Sequence, residues 1–193
     1  MAELIITDLD YTLVNTNLER DFIIFNIIRP YSTNIIPIFA LFYHLVIKKI
    51  FNLIGIKYNF KLFYFPYNKS TFNFSLKRWL TNIKKNEIFI NKNIINKFQN
   101  SKLNIVLTSC PYVIAKPFVK HILEIKKTYV IGTKFETFLG KIIYSKNKMQ
   151  GNAKTDFVKS KILKYKLVTK GYGDSPSDKG FLELCDDYEE VAL

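Results

Sequence analysis

Two aspartates, separated by one residue, follow an apolar run close to the N-terminus. The run 4–6 predicts a short buried strand, and Asp8 and Asp10 come directly after it. Two carboxylates this close repel each other, and burying either one is costly unless a positive charge lies beside it. Carboxylate oxygens are the ligands that Mg²⁺ prefers in proteins. The pair therefore predicts metal-assisted chemistry at the end of a first strand.

The composition is that of a folded protein without a disulfide framework. A chain of 193 residues is long enough for one α/β domain with a sizeable insertion, and 48% hydrophobic residues exclude a disordered chain. Two cysteines favour a reducing compartment over a disulfide-rich one. Glu3 and Asp8 interrupt the N-terminal apolar run, so no signal peptide is expected. We therefore expect a cytoplasmic protein.

The positive charge is concentrated in the middle of the chain. The formal net charge is +13, and residues 31–100 hold 11 Lys or Arg against one acid, Glu87, a difference of +10. Such a stretch favours an anionic partner: a phosphorylated substrate, an anionic membrane surface or nucleic acid. A solvated face with no partner explains the charge equally well.

The segment 34–56 is dense in apolar residues and raises the question of a membrane helix. Its longest apolar run, 35–43, is about half of what a bilayer-spanning helix requires. Lys48 and Lys49 interrupt the apolar residues after that run. A helix buried in a bundle is favoured. The alternative is a helix lying on a membrane surface, with these lysines and Lys57 facing lipid head groups.

Hydrophobic periodicity predicts strands that alternate with helices, and therefore a parallel sheet. The predicted strands are 3–8, 103–108, 128–131, 167–172 and 188–193, with a hairpin at 134–138 and 141–144. The predicted helices are 19–28, 35–54, 71–85, 91–99, 111–123, 153–165 and 177–185. Ligands of such sheets bind beyond the carboxyl ends of the strands.

Four further polar side chains fall at that same edge of the predicted sheet. Thr108 ends the second strand, Asp174 ends the fourth, and Asp178 follows four residues later. Lys154 opens the helix after the hairpin. Thr108 also precedes a helix N-terminus, where backbone N–H groups can hold a phosphate. The alternatives are purely structural roles: Thr108 as the N-cap of a helix, and Asp178 as an acid in the first turn of a helix.

Together these stretches form an ordered series of four motifs. They are 8–12 (DLDYT), 106–111 (VLTSCP), 151–154 (GNAK) and 173–178 (GDSPSD). The series resembles the haloacid dehalogenase (HAD) superfamily of aspartyl phosphatases, and within it the phosphoserine-phosphatase-like branch, subclass IB. The resemblance implies a Rossmann-like catalytic core formed by residues 1–15 and 101–193. It also implies that residues 16–100 are an inserted helical cap of the first type (C1), which covers the site.

The resemblance also implies a role for each motif residue. Asp8 would be the nucleophile that forms an aspartyl-phosphate, and Asp10 would be the general acid and base. Thr108, Ser109 and Lys154 would hold the phosphoryl oxygens. The metal ligands, with Mg²⁺ as cofactor, would be Asp8, Asp10, Asp174 and Asp178. The expected function is thus a Mg²⁺-dependent phosphomonoester hydrolase.

The expected substrate is a small-molecule phosphate ester, and the motifs do not identify which one. Phosphoserine phosphatase carries an acid shortly after its first motif to bind the substrate amine, whereas residues 15–17 are neutral here. The apolar, aromatic and basic segment 16–100 suggests a lipid or other apolar phosphate as a hypothesis, with peripheral contact at the inner face of the membrane. The alternatives are a phosphotransferase or phosphomutase, and a non-catalytic module that binds anions or membranes through a basic cap. Nucleic acid is not favoured, and no oligomeric state is predicted.

Overall fold

Five parallel strands form the central sheet of the computed structural model. They are β1 (Leu4–Thr7), β2 (Leu103–Pro111), β3 (Thr128–Thr133), β6 (Thr169–Gly173) and β7 (Asp187–Glu190). Their order across the sheet is β3-β2-β1-β6-β7, and every neighbouring pair is parallel. The two remaining strands, β4 (Phe135–Phe138) and β5 (Lys141–Tyr144), form an antiparallel hairpin. The predicted Rossmann-like α/β fold and the hairpin before Lys154 are both confirmed.

Helices connect the strands, as the alternating pattern predicts. They are α1 (Leu18–Ile28), α2 (Lys69–Asn82), α3 (Lys92–Gln99), α4 (Tyr112–His121), α5 (Asn152–Phe157) and α6 (Lys179–Leu182). The predicted helix 153–165 is not one continuous α-helix, because α5 passes into a π-helix at Val158–Ile162 and a 3₁₀ turn at Leu163–Tyr165.

The structure describes residues 4–29, 67–83, 88–125, 127–138, 140–144 and 148–191, together with positions 42, 46, 49, 50 and 53. Those five positions are helical, in agreement with the helix predicted at 35–54, whose other positions lie outside the described residues. So do residues 192 and 193 of the last predicted strand.

The chain divides into two units. The first comprises Met1–Leu18, Lys84–Thr133 and Lys148–Leu193, and so contains the whole parallel sheet. The second comprises Glu19–Ile83 and Lys134–Asn147. The cap boundaries 16–100 remain a prediction.

The core of the first unit lies on one face of the sheet. Alternate residues of β1 and β2 point to this face, as the period of two in a strand requires. The π-helix and α6 cover it with their apolar side chains. The buried members of this core are Leu4, Ile6, Ile105, Leu107, Val158, Ile162, Phe181 and Leu182.

The second unit is held together by aromatic rings. Phe72 of α2 packs against Phe22 of α1 at 5.4 Å between ring centroids and against Phe135 of β4 at 5.7 Å. Trp79 of α2 meets Phe22 edge-on at 5.6 Å. Aromatic contacts of this kind contribute about 0.5–1.5 kcal/mol each beyond the area they bury. They explain why the hairpin belongs to the helical unit although it lies far along the chain.

In the part of the chain that the structure describes, no helix has the length and apolar character needed to cross a membrane.

Candidate active site

The carboxyl ends of β1 and β6 bring the motif residues together. Asp8 directly follows β1, and its backbone N–H donates to the carbonyl of Tyr172 in β6 at 2.9 Å. Asp174 directly follows β6. Because the two strands are parallel neighbours, their ends meet at one edge of the sheet. Lys154, in the first turn of α5, contacts both Asp8 and Asp178, and Asp178 is the N-cap of α6.

Lys154 is the centre of a buried ion-pair network. Its Nζ lies 2.9 Å from Oδ1 of Asp8 and 2.6 Å from Oδ1 of Asp178. The residue is 1% exposed. Burial disfavours the ammonium ion, but the two carboxylates outweigh that effect and raise the pKa of Lys154 above its usual value. Lys154 therefore stays charged between the two acids.

Asp178 is held at both of its carboxylate oxygens. Oδ1 accepts the hydrogen bond from Lys154, while Oδ2 accepts from the hydroxyl of Ser175 at 2.7 Å and from its backbone N–H at 3.3 Å. The residue is fully buried. A carboxylate fixed at both oxygens is well suited to orient Lys154.

Asp8 is a buried carboxylate whose charge is only partly compensated. Burial raises the pKa of Asp8 from 3.8 to about 6; Lys154 opposes this increase and the nearby Asp178 adds to it. Two carboxylates share one ammonium, which leaves an excess negative charge at the site. A bound cation would remove it.

Three carboxylates lie close enough together to bind such a cation. Asp8, Asp174 and Asp178 each offer an oxygen within 4.8 Å of the others. Asp174 is positioned by the hydroxyl of Thr12, which donates to its Oδ1 at 2.9 Å. Burial raises the pKa of Asp174. An all-oxygen set of this kind fits Mg²⁺.

Asp10 lies next to this cluster in the chain, but its carboxylate accepts a hydrogen bond from a different part of the structure. It is buried, and its Oδ1 accepts from the backbone N–H of Leu18, the first residue of α1, at 3.1 Å. Within the described ranges the carboxylate cluster consists of Asp8, Asp174 and Asp178, without Asp10. Its assignments as a metal ligand and as the acid and base stay predictions.

Thr108 and Ser109 lie in the last part of β2. This strand continues to Pro111, three residues beyond the predicted end, and Pro111 is the N-cap of α4. Thr108 therefore does not cap this helix. Its buried hydroxyl oxygen accepts instead from the backbone N–H of Cys110 at 3.0 Å. The carbonyl of Ser109 accepts from the hydroxyl of Thr133 in β3 at 2.7 Å, which fixes this end of the strand.

Residues 5–183 match the family described as haloacid dehalogenase-like hydrolase. The chain belongs to this family. The superfamily suggested by the four motifs is therefore confirmed, and with it the prediction of a hydrolase. No curated protein sequence matches the chain significantly.

Solved structures confirm the HAD fold at low sequence identity. A protein of unknown function from Bordetella pertussis Tohama I has a TM-score of 0.69 and 12% identity, with 96% of this chain and 87% of that chain covered. Cytosolic 5'-nucleotidase IIIB bound to cytidine has a TM-score of 0.56 and 11% identity, with coverages of 98% and 72%. A phospho-aspartyl intermediate analogue of phosphoserine phosphatase has a TM-score of 0.50 and 16% identity, with coverages of 99% and 94%. The family match confirms a hydrolase, and these structures show that the chain shares their fold.

Two hydroxyl residues of this candidate site are not among the residues that the motifs predict. They are Thr12, which binds Asp174, and Ser175, which binds Asp178. Both lie inside motifs that were recognised by their acids. The available signal was their hydroxyl groups, close in sequence to carboxylates that need donors.

Proposed function

We propose that this HAD protein is a Mg²⁺-dependent phosphomonoester hydrolase that acts through an aspartyl-phosphate on Asp8. One observation carries the proposal. Asp8 is a buried carboxylate at the end of β1, next to Lys154 and within 4.8 Å of oxygens of Asp174 and Asp178. A nucleophile, a cation for the phosphoryl oxygens and metal ligands are thereby combined in one place.

The donor set of the site fits Mg²⁺. Asp8 and Asp174 would be its side-chain ligands. Asp178 already uses both oxygens on Lys154 and Ser175, so its part is to orient the lysine or to act on the metal through water. When bound, Mg²⁺ supplies positive charge for the transferring phosphoryl group and lowers the repulsion between that group and Asp8.

The residues of the chain would divide the reaction between them. Asp8 attacks phosphorus, so that its carboxylate oxygen forms the new P–O bond while the ester P–O bond breaks. Asp10 gives its proton to the departing oxygen. Asp10 then takes a proton from water, the water oxygen attacks phosphorus, and release of inorganic phosphate restores Asp8. Lys154 and Thr108 donate to the phosphoryl oxygens in both steps.

The experiment that tests this proposal compares the wild type with Asp8→Asn on p-nitrophenyl phosphate. We expect turnover that requires Mg²⁺, stops with EDTA and falls by about 10³-fold or more in the variant. Wild-type protein should also form a hydroxylamine-sensitive phosphoenzyme that the variant lacks. The matched control is Asp156→Asn, since Asp156 is an exposed aspartate two residues after Lys154. Equal turnover by Asp8→Asn would refute the proposal. Transfer of phosphate to an added alcohol would instead identify a phosphotransferase.

For the substrate we propose a lipid or other apolar phosphate, reached by peripheral docking of a cytoplasmic protein at the inner face of the membrane. Support comes from exposed apolar side chains at helical positions of the second unit: Phe42 (66% exposed), Val46 (40%), Ile50 (49%) and Leu53 (78%). The spacing 42, 46, 50 and 53 is that of one helix face, since at 3.6 residues per turn it corresponds to directions within about 80° of one another. We call these four side chains the apolar helix face.

Charge favours an anionic membrane as the partner of the apolar helix face. Lys49 is exposed beside it, and between Asp21 and Glu87 the chain contains no acidic residue. A basic amphipathic helix binds in the interfacial region of a bilayer, and each Lys near an anionic surface contributes about 1 kcal/mol.

Vesicle sedimentation tests this docking. We expect the protein to bind phosphatidylcholine vesicles that contain phosphatidylglycerol, to bind pure phosphatidylcholine weakly, and to be released by salt. Phe42→Ser with Leu53→Ser should abolish binding. Tyr129→Ser, which removes a ring that is 64% exposed on β3, should not. Binding that ignores both lipid charge and the double substitution would refute membrane docking. Turnover of sugar or amino-acid phosphates alone, with lipid phosphates in detergent ignored, would refute the substrate class.

A further inference from the structure

Tyr11 has a backbone conformation that is unusual for a bulky side chain. Its φ is +59°, in the left-handed region that glycine, asparagine and aspartate occupy most readily. The described residues include three other non-glycine positions with positive φ: Glu124, Lys127 and Lys166. Those three have long charged side chains, so Tyr11 alone among them places an aromatic ring there.

The ring of Tyr11 is not used to fill the core. From Leu4 to Val14 every residue is buried except Tyr11, which is 40% exposed. In the part of the chain that the structure describes, its side chain has no hydrogen bond, ion pair or ring contact. The strained backbone therefore holds an aromatic ring that is partly exposed. Strain of this kind concentrates at functional sites, where the surrounding structure maintains it.

The neighbours of Tyr11 in the chain place it beside the reacting groups. It lies between Asp10, the acid that we propose protonates the departing oxygen, and Thr12, which binds Asp174. The Cα atoms of Tyr11 and Asp10 are about 3.8 Å apart, as in any trans peptide. A leaving group whose oxygen reaches Asp10 would therefore come close to Tyr11.

We propose that Tyr11 is a specificity-determining residue whose ring packs against the leaving group of the ester. It would favour phosphate esters with an apolar or aromatic group next to the scissile oxygen over small esters. This inference rests on the proposed phosphatase activity and narrows its substrate class. It does not depend on membrane docking, because the contact lies at the active site in the first unit.

The test compares benzyl phosphate with methyl phosphate, two esters of unactivated alcohols that differ mainly in the size of the leaving group. Tyr11→Asn removes the ring and retains a residue that tolerates positive φ. We expect kcat/KM for benzyl phosphate to fall about tenfold and that for methyl phosphate to change less than about twofold, the scale at which an apolar contact discriminates. Tyr11→Phe should keep the wild-type ratio, because the ring and not the hydroxyl makes the contact.

Stability separates specificity from a structural role. Because Asn fits the left-handed backbone, Tyr11→Asn should keep or raise the melting temperature, whereas loss of a packing residue would lower it. The matched control is Lys166→Asn, which makes the same backbone change before β6, at the opposite end of the sheet from Asp174. It should leave the ratio of the two esters unchanged.

Two results would overturn the assignment of Tyr11. One is an equal fall for both esters in Tyr11→Asn, which would indicate a positioning role for the loop. The other is an unchanged ratio, which would indicate no contact. Failure of the phosphatase proposal looks different, because Asp8→Asn would then retain full turnover of both esters.

Discussion

Replacing Asp8 with asparagine is expected to stabilise the protein when no divalent cation is present. Asparagine has the shape of aspartate but carries no charge. The carboxylate of Asp8 is buried, and it shares Lys154 with Asp178. The variant would therefore remove a charge that the fold alone does not fully compensate.

The magnitude follows from the pKa of Asp8. Burial raises it from 3.8 to about 6, and this net value already includes the favourable effect of Lys154. One pKa unit corresponds to about 1.36 kcal/mol. The ionised carboxylate therefore lowers the free energy of unfolding by about 3 kcal/mol, a large part of the roughly 5–15 kcal/mol typical of a domain.

The sign of the pH dependence follows from the same shift. Since the folded state binds this proton more tightly than the unfolded state, stability from Asp8 is present below pH 3.8 and is lost as pH rises to about 6. Asp8→Asn should exceed the wild type most clearly above pH 6. The advantage should shrink as the pH falls towards 4.

Urea unfolding in EDTA at several pH values measures this difference, with Asp156→Asn as an exposed control that should follow the wild type. Added Mg²⁺ should stabilise the wild type by about 2.7 kcal/mol at a hundredfold excess over its dissociation constant, and the variant less. A variant that is less stable than the wild type above pH 6 would refute the reasoning. So would an advantage that does not change with pH.

Three further substitutions test single contacts of the site. Thr12→Val removes the hydrogen bond to Asp174, and we expect the Mg²⁺ affinity to fall about 10–100-fold in a metal titration. Gly173→Ala would place a Cβ 2.7 Å from Cβ of Asp178, so we expect kcat to fall and the melting temperature to drop. Lys154→Met leaves Asp178 and its neighbouring carboxylate without their common cation; we expect a loss of about 3–5 kcal/mol in the metal-free unfolding free energy.

Matched variants separate these effects from general damage. Thr12→Ser should retain Mg²⁺ affinity, because it keeps the hydroxyl. Gly171→Ala, which meets the side chains of Leu182 and Cys185 instead of Asp178, should lower stability with a smaller effect on kcat. Asp156→Asn is the exposed counterpart for Lys154→Met. Each contact has a result that would contradict it. For Thr12→Val it is an unchanged Mg²⁺ affinity, and for the two glycine variants it is an equal loss of kcat. For Lys154→Met it is a metal-free stability equal to that of the wild type.

The sheet and the position of the site were predictable because both depend on local pattern. Continuous apolar runs give parallel strands, and parallel strands place their carboxyl ends together. Asp8 and Asp174 could therefore be placed at one edge from the sequence alone. The hydrogen bond from the backbone N–H of Asp8 to the carbonyl of Tyr172 extends the pairing of these two strands to this edge.

The contacts of individual side chains were not predictable in this way. Spacing places Asp178 four residues after Asp174, but it does not indicate that Lys154 and Ser175 occupy both oxygens of Asp178. The association of the hairpin with α1 and α2 was not predictable from the sequence either. It depends on the contact between Phe135 and Phe72, which are far apart in the chain.

The strain at Tyr11 and the buried charge of Asp8 point to one physical cause. Each is locally unfavourable, the first in backbone conformation and the second in electrostatics. Local rules of folding would place a small or polar residue at position 11 and a neutral one at position 8. Features that a fold maintains against its own stability are expected where a ligand interacts with them. On this reasoning a bound metal ion would stabilise the carboxylate of Asp8, and the leaving group of the substrate would cover Tyr11.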